Sequence, residues 1–119
     1  ISQHHLLNLC RQVTKKNCSV LVFCPSKKGC ERTSHLLVKS MNEIDRGNPS
    51  ELKHKAAEKK LVVNRLRHGG PTDTISYGIA YHHAGLTMEE RTVVEDAFRE
   101  HVINIICCTS TLAAGVNLP

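Results

Sequence analysis

Two hydrophobic rhythms alternate along the chain, and their order outlines a fold. Leu6, Leu9, Cys10 and Val13 recur at i, i+3, i+4 and i+7, which predicts an amphipathic helix over residues 3–16. Asn17 and Ser19 interrupt it. The next five residues, Val20-Leu21-Val22-Phe23-Cys24, are apolar without a break and rich in β-branched side chains. That pattern predicts a strand buried on both faces. Pro25 and Ser26 close it, and Ser26 can cap a helix running to about residue 41, with Cys30, Leu37 and Met41 as its buried stripe and Leu36 beside it. Tyr77-Gly78-Ile79-Ala80-Tyr81 reads as a second strand, followed by a turn at residues 82–86. Thr87 then opens a helix with Glu90 three residues on, the spacing of a capping box. Its core stripe is Val94, Ala97 and Phe98, and a third strand follows at residues 103–107. Residues 109–119 begin like a strand-to-helix turn. Buried strands separated by helices imply βαβ crossovers and one open parallel sheet of the α/β class, with the three strands near neighbours.

Residues 43–75 break this regularity. Gly47-Asn48-Pro49 and Gly69-Gly70-Pro71 are strong breakers. Between them the pattern predicts a Lys-rich, weakly amphipathic helix over about residues 51–67, with Leu52, Ala56, Val63 and Leu66 on one side. It is expected to be an exposed helical insertion with flexible flanks.

Composition narrows the options. The 119 residues make one domain, 40% hydrophobic and 23% charged, an ordinary globular balance. With two Phe, two Tyr and no Trp, the core must be aliphatic, and the same scarcity argues against a base-stacking platform of aromatic rows. No apolar run approaches the roughly 18 residues of a membrane-crossing helix, so no membrane partner is expected. The opening Ile1-Ser2-Gln3-His4-His5 has neither a signal-peptide layout nor a start methionine, and reads as a piece of a longer chain. The six cysteines stand at 10, 18, 24, 30, 107 and 108 with no C-x-x-C, which favours reduced, structural thiols of an intracellular protein over a disulfide framework or a zinc site.

Charge adds a direction. Residues 1–75 carry fourteen Lys and Arg against six Asp and Glu, a net of +8; residues 76–119 carry two against five, a net of −3, together the overall +5. A basic half suits a polyanion such as nucleic acid, and equally a solvated Lys-rich surface. In a parallel sheet, ligands gather at the carboxyl ends of the strands. Three segments fall there: Ser26-Lys27-Lys28, the turn from His82 to Leu86, and Thr109-Ser110-Thr111. Each offers hydroxyls or backbone amides beside a turn or helix start, a seat for an anion. Lys27 and Lys28 oppose the helix dipole in a first turn, which points to an anion in front of them; plain capping with solvated lysines is the alternative. His82 and His83 are adjacent and cannot share a face of a strand, so positioning or satisfied structural histidines fit better than a metal site or a catalytic base. His35 and the remaining histidines have no constellation around them. No G-x-x-x-x-G-K-[ST] loop is present.

These segments also carry a resemblance. Leu21-Val22-Phe23-Cys24-Pro25-Ser26-Lys27-Lys28 with Cys30-Glu31 resembles motif IV of superfamily-two helicases. Ala80-Tyr81-His82-His83-Ala84-Gly85-Leu86 with Glu90-Arg91 resembles motif IVa. Thr109-Ser110-Thr111-Leu112-Ala113-Ala114-Gly115-Val116-Asn117-Leu118-Pro119 resembles motif V. Together they are similar to the second RecA-like lobe of superfamily-two DNA helicases of the polymerase-theta type, over residues 19–42 and 77–119. The resemblance implies an ATP-dependent DNA helicase acting in DNA repair in the nucleus. ATP and Mg²⁺ would sit in the cleft between this lobe and a first RecA-like lobe, with DNA, single-stranded or forked, across both. It implies that Ser26, Lys27, Lys28, His83, Ala84, Gly85, Thr109, Ser110 and Thr111 meet the DNA backbone, and that Gly115 and Asn117 face nucleotide.

The Walker loop and DExH box of the family's first lobe, and its arginine-bearing motif VI, have no counterpart in these residues. The segment alone is therefore expected to lack ATPase activity, to hold nucleotide weakly and to contain no catalytic residue. An RNA helicase lobe of the same superfamily and a non-catalytic nucleic-acid-binding module are the alternatives.

Overall fold

The computed structural model describes residues 6, 8–10, 12, 19–44, 55–66 and 70–109. Its sheet has three strands, β1 (Val20–Phe23), β2 (Ile79–His82) and β3 (Ile105–Cys108), in the order β1-β3-β2. Both outer strands run parallel to β3, with Val20 and Ile79 level with Ile105, and Phe23 and His82 level with Cys108. Helix α1 (Lys27–Ile44) follows β1, α2 (Ala56–Leu66) comes next, and α3 (Met88–Arg99) connects β2 to β3. The expected α/β parallel architecture is what forms. No helix among the described residues is long and apolar enough to cross a membrane.

Strand alternation divides the core. Ala80, Ile106 and Cys108, with Leu21, face α2 and α3, where they meet Val62, Leu66, Val93, Val94 and Phe98. Ile79, Tyr81, Ile105 and Cys107, with Val20 and Val22, face the opposite way, onto Cys30 and Leu37 of α1 and onto Cys10. Leu6, Asn8, Leu9, Cys10 and Gln12 have helical backbone, within the predicted first helix. Because both faces of β3 are covered, every residue of it is buried, which is why its sequence is continuously apolar.

Several boundaries move for physical reasons. Tyr77 belongs to a 3₁₀ turn (Ile75–Tyr77), which closes at Gly78 with φ +77°. A left-handed residue there ends the turn at no side-chain cost and delays β2 to Ile79. The Gly78 carbonyl accepts Asn104 N–H at 2.9 Å and Ile105 N–H at 3.1 Å, which delays β3 to match. β1 is corrected more substantially: Val20, Leu21 and Val22 are only half-buried and Phe23 is 59% exposed. Continuous apolarity therefore overstated its burial, whereas β2, the other outer strand of the described sheet, is buried throughout.

α2 packs on α3 and on the 3₁₀ turn through Lys59, Val62 and Leu66, whereas Ala56 is exposed. The predicted stripe missed Lys59 because it is charged; the side chain lies along the apolar seam and its Nζ donates to Ser76 O at 3.2 Å. The flanks at 45–54 and 67–69, expected to be flexible, lie outside the described residues, as does Leu52. Cys10, Cys24, Cys30, Cys107 and Cys108 are free thiols.

Candidate nucleic-acid interface

The three segments singled out in the sequence meet along the carboxyl edge of the sheet. Past the strand ends, Cys24 N–H donates to Cys108 O at 2.8 Å and Thr109 N–H to His82 O at 3.3 Å. The loop after β1, the turn after β2 and the start of the segment after β3 are thus tied side by side. Of the expected contacts, Ser26, Lys27, Lys28, His83, Ala84, Gly85 and Thr109 fall here. Ser110, Thr111, Gly115 and Asn117 lie outside the described residues.

Ser26 caps α1: its Oγ accepts Gly29 N–H at 3.0 Å, and its carbonyl accepts Cys30 N–H at 3.0 Å. An accepting hydroxyl keeps its own proton to donate, and Ser26 is exposed, so the O–H can point outward. Lys27 and Lys28 are exposed, and among the described residues neither ammonium is ion-paired. The first turn of α1 contains no acidic residue, so the positive end of that helix, two lysines and one hydroxyl project together.

The start of α3 is the opposite case. Glu90 N–H donates to Thr87 Oγ1 at 3.0 Å and Thr87 N–H donates to Glu90 Oε1 at 2.7 Å, completing the predicted capping box. Glu89 stands in the same turn, so this helix end is neutralised from within. One helix start along the edge is open to an anion and the other is not.

The two histidines point to opposite faces, as adjacent strand residues must, and each meets a carboxylate. His82, 2% exposed, lies 2.7 Å through Nε2 from Glu95 Oε2 of α3. Its Nδ1 is buried with no hydrogen-bond partner among the described residues. His83, 5% exposed, lies 3.0 Å through Nε2 from Glu31 Oε2 of α1. Its Nδ1 accepts Gly85 N–H at 3.0 Å. The ring stacks on Tyr81 with centroids 5.5 Å apart and planes 7° from parallel. The Gly85 amide is therefore spent inside the turn. What Gly85 offers a ligand is close approach: a Cβ there would sit 2.9 Å from His83 Cε1 and 3.5 Å from Lys27 Cδ.

Glu31 and Glu95 were not picked out as histidine partners in the sequence. The separations, 52 residues for Glu31 and 13 for Glu95, carry no local signal; only the fold brings each helix over the strand end. Likewise His35, assigned no constellation, meets Asp73 Oδ2 at 2.7 Å and ties α1 to the turn before the 3₁₀ segment. Among the described residues, no group of three or more His, Cys, Asp or Glu is placed to hold a metal ion.

The thiols beneath the edge are chemically quiet. Burial pushes Cys107 up to about 12. Burial, reinforced by neighbouring Cys24, does the same for Cys30, also to about 12. Tyr81 is raised to about 12 by burial, then by the negative charges of Glu31, Asp73 and Glu90. None of these groups supplies a nucleophile near neutral pH.

Comparison with known proteins identifies the family. Residues 50–119 match the helicase conserved C-terminal domain, a stretch that includes α2, the turn at 82–86 and Thr109 but not Ser26, Lys27 and Lys28. The chain is 43% identical to human helicase POLQ-like over 97% of its length, 35% identical to mouse DNA polymerase theta over 98%, and 36% identical to the ATP-dependent DNA helicase Hel308 of Methanococcus vannielii over 100%. It spans 10%, 5% and 16% of those three proteins respectively.

Proposed function

Because the chain belongs to the helicase conserved C-terminal domain family, we propose that it is the second RecA-like lobe of an ATP-dependent DNA helicase and that the carboxyl edge of its sheet grips the phosphate backbone. The observation that carries this reading is the approach of the α1 N-terminus to the 83–86 turn, with Lys27 packed within reach of Gly85. Two lysines without an ion-pair partner among the described residues, an outward hydroxyl and a turn without a side chain at Gly85 form a surface that accepts a phosphodiester and ignores base identity. Thr109, at the end of the central strand, continues it, and Ser110 and Thr111 are proposed to extend it further.

DNA is favoured over RNA by the names of the relatives, which include a DNA polymerase and a DNA helicase. Action on chromosomal DNA would put the protein in the nucleus of a nucleated cell. ATP with Mg²⁺ would supply the energy of translocation. Gly115 and Asn117 would meet one edge of the nucleotide, and a first lobe would cradle its phosphates, since these 119 residues contain no Walker loop. Without such a loop the lobe alone should turn over no ATP.

The test is the salt dependence of DNA binding by the full-length protein. Replacing Lys27 and Lys28 together by Ala should lower the log–log slope by up to about 1.4, at roughly 0.7 per single-strand phosphate contact. An unchanged slope means both lysines are merely solvated and the reading fails.

A further inference from the structure

Glu31 and Lys27 lie one turn apart on the same side of α1, so their side chains can reach the same neighbour. That neighbour is the turn after β2. Glu31 holds His83 Nε2 at 3.0 Å, His83 holds the Gly85 amide through Nδ1 at 3.0 Å, and the alkyl stem of Lys27 comes so near that a Cβ added at Gly85 would lie 3.5 Å from its Cδ. The contacts run from α1 out to the turn and back to α1. Stacking on Tyr81 fixes the plane of the ring and leaves it little freedom to swing.

Proton bookkeeping makes the role of Glu31 specific. Nδ1 accepts a hydrogen bond from Gly85 N–H, so it carries no proton. The proton of the neutral ring is then on Nε2, which donates to Glu31. An imidazolium has no acceptor to offer Gly85 and would present N–H to N–H. Glu31 is therefore needed as a hydrogen-bond acceptor rather than as a counter-charge.

We propose that Glu31 is a positioning residue for the phosphate grip: acting through the His83 ring, it sets Gly85 against Lys27 so that both meet the same stretch of DNA backbone. This rests on the nucleic-acid reading of the carboxyl edge. Glu31 itself touches no ligand. Its side chain is 43% exposed, so its removal leaves the cores on both sides of the sheet intact.

The experiment compares Glu31→Ala with Glu31→Gln in the full-length protein, reading the dissociation constant for a fluorescent oligothymidine. Glu31→Ala should weaken binding about five- to tenfold, the scale of one lost hydrogen bond to a buried ring. Glu31→Gln keeps an oxygen that accepts from Nε2–H and should stay within about twofold of the parent. A Glu31→Ala protein that binds like the parent overturns the inference. So does a Glu31→Gln protein as weak as Glu31→Ala, because the role would then be one of charge. The double lysine variant separates the two levels. If its salt slope is unchanged, the nucleic-acid reading falls and the inference with it; if the slope drops, the Glu31 pair decides the inference alone.

Discussion

The two faces of the sheet are built from different chemistry. On the α2 and α3 side, Val62, Leu66, Val93, Val94, Phe98 and Ile106 interlock as an aliphatic layer with one aromatic ring. On the α1 side Leu37, Ile79, Leu86 and Ile105 share the same depth with Cys10, Cys30, Cys107 and Tyr81, and Ser34 and His83 are buried as well. Small polarisable groups bury less apolar area per residue, and buried polar groups must each find a partner. Ser34 Oγ donates to Cys30 O at 2.9 Å, and His83 is bonded at both nitrogens. The aliphatic face stabilises the lobe, whereas the thiol face gives up some hydrophobic gain for directional bonds that end at the ligand edge.

If that division holds, the largest loss of stability should come from the aliphatic side. Phe98 is 3% exposed and packs at the centre of that layer. Phe98→Ala should cost about 3–5 kcal/mol in urea unfolding of the lobe, from lost transfer energy plus the cavity left behind. The hydrogen bonds of the 83–86 turn lie on the other face, so DNA affinity measured well below the unfolding midpoint should stay near that of the parent. A smaller loss of stability than for Cys107→Ala would reverse the comparison of faces.

The thiol face should announce itself in alkali. Cys30 and Cys107 are raised from 9.0 to about 12, and Tyr81 from 10.0 to about 12, in each case first by burial. Cys10 is raised for the same reason. A raised value means that the folded state keeps protons which the unfolded chain releases near pH 9 from the thiols and near pH 10 from the tyrosine. Their contribution is complete below about pH 9 and is lost progressively as pH rises toward about 12. Urea midpoints should therefore fall from pH 9 upward, and replacing Cys107 by Ala should flatten that fall. Cys108, on the opposite face, is raised too, to about 11, so a residual slope should survive.

The order of elements and their parallel arrangement could be read from the sequence because short apolar runs alternate with capped amphipathic helices, a local pattern that marks strands and crossovers even where, as in β1, it overstates burial. Ser26 and Thr87 were legible as caps for the same local reason. What stayed hidden depends on distance along the chain. The half-burial of β1 depends on how much of each outer strand distant elements cover, since β2 is outer too and fully buried, and Lys59 looked exposed because charge stands in for exposure in any pattern of polarity. The candidate edge was visible as three strand ends, but its bracing was not. Glu31, Glu95 and Asp73 acquire meaning only when α1, α3 and the turn at 70–74 are folded over the histidines they hold.

The smallest expected effect separates the two helix starts that share the ligand edge. α1 opens with lysines and no acid; α3 opens with Glu89 and Glu90, and a reciprocal pair of hydrogen bonds between Thr87 and Glu90 satisfies its amides. Thr87→Ala removes one of those bonds and leaves the Glu90 amide to water, at a cost of about 1 kcal/mol. Exposure of Thr87 makes the lost bond replaceable by solvent, which holds the cost well below that of Phe98→Ala. A urea midpoint shift of that size, with the slope against denaturant unchanged, is the expected result. DNA affinity should move by less than about twofold, because a helix end already neutralised by its own carboxylate offers a phosphate little. If Thr87→Ala weakened DNA binding as strongly as the double lysine change, the α3 start would belong to the grip and the contrast between the two helix ends would be wrong.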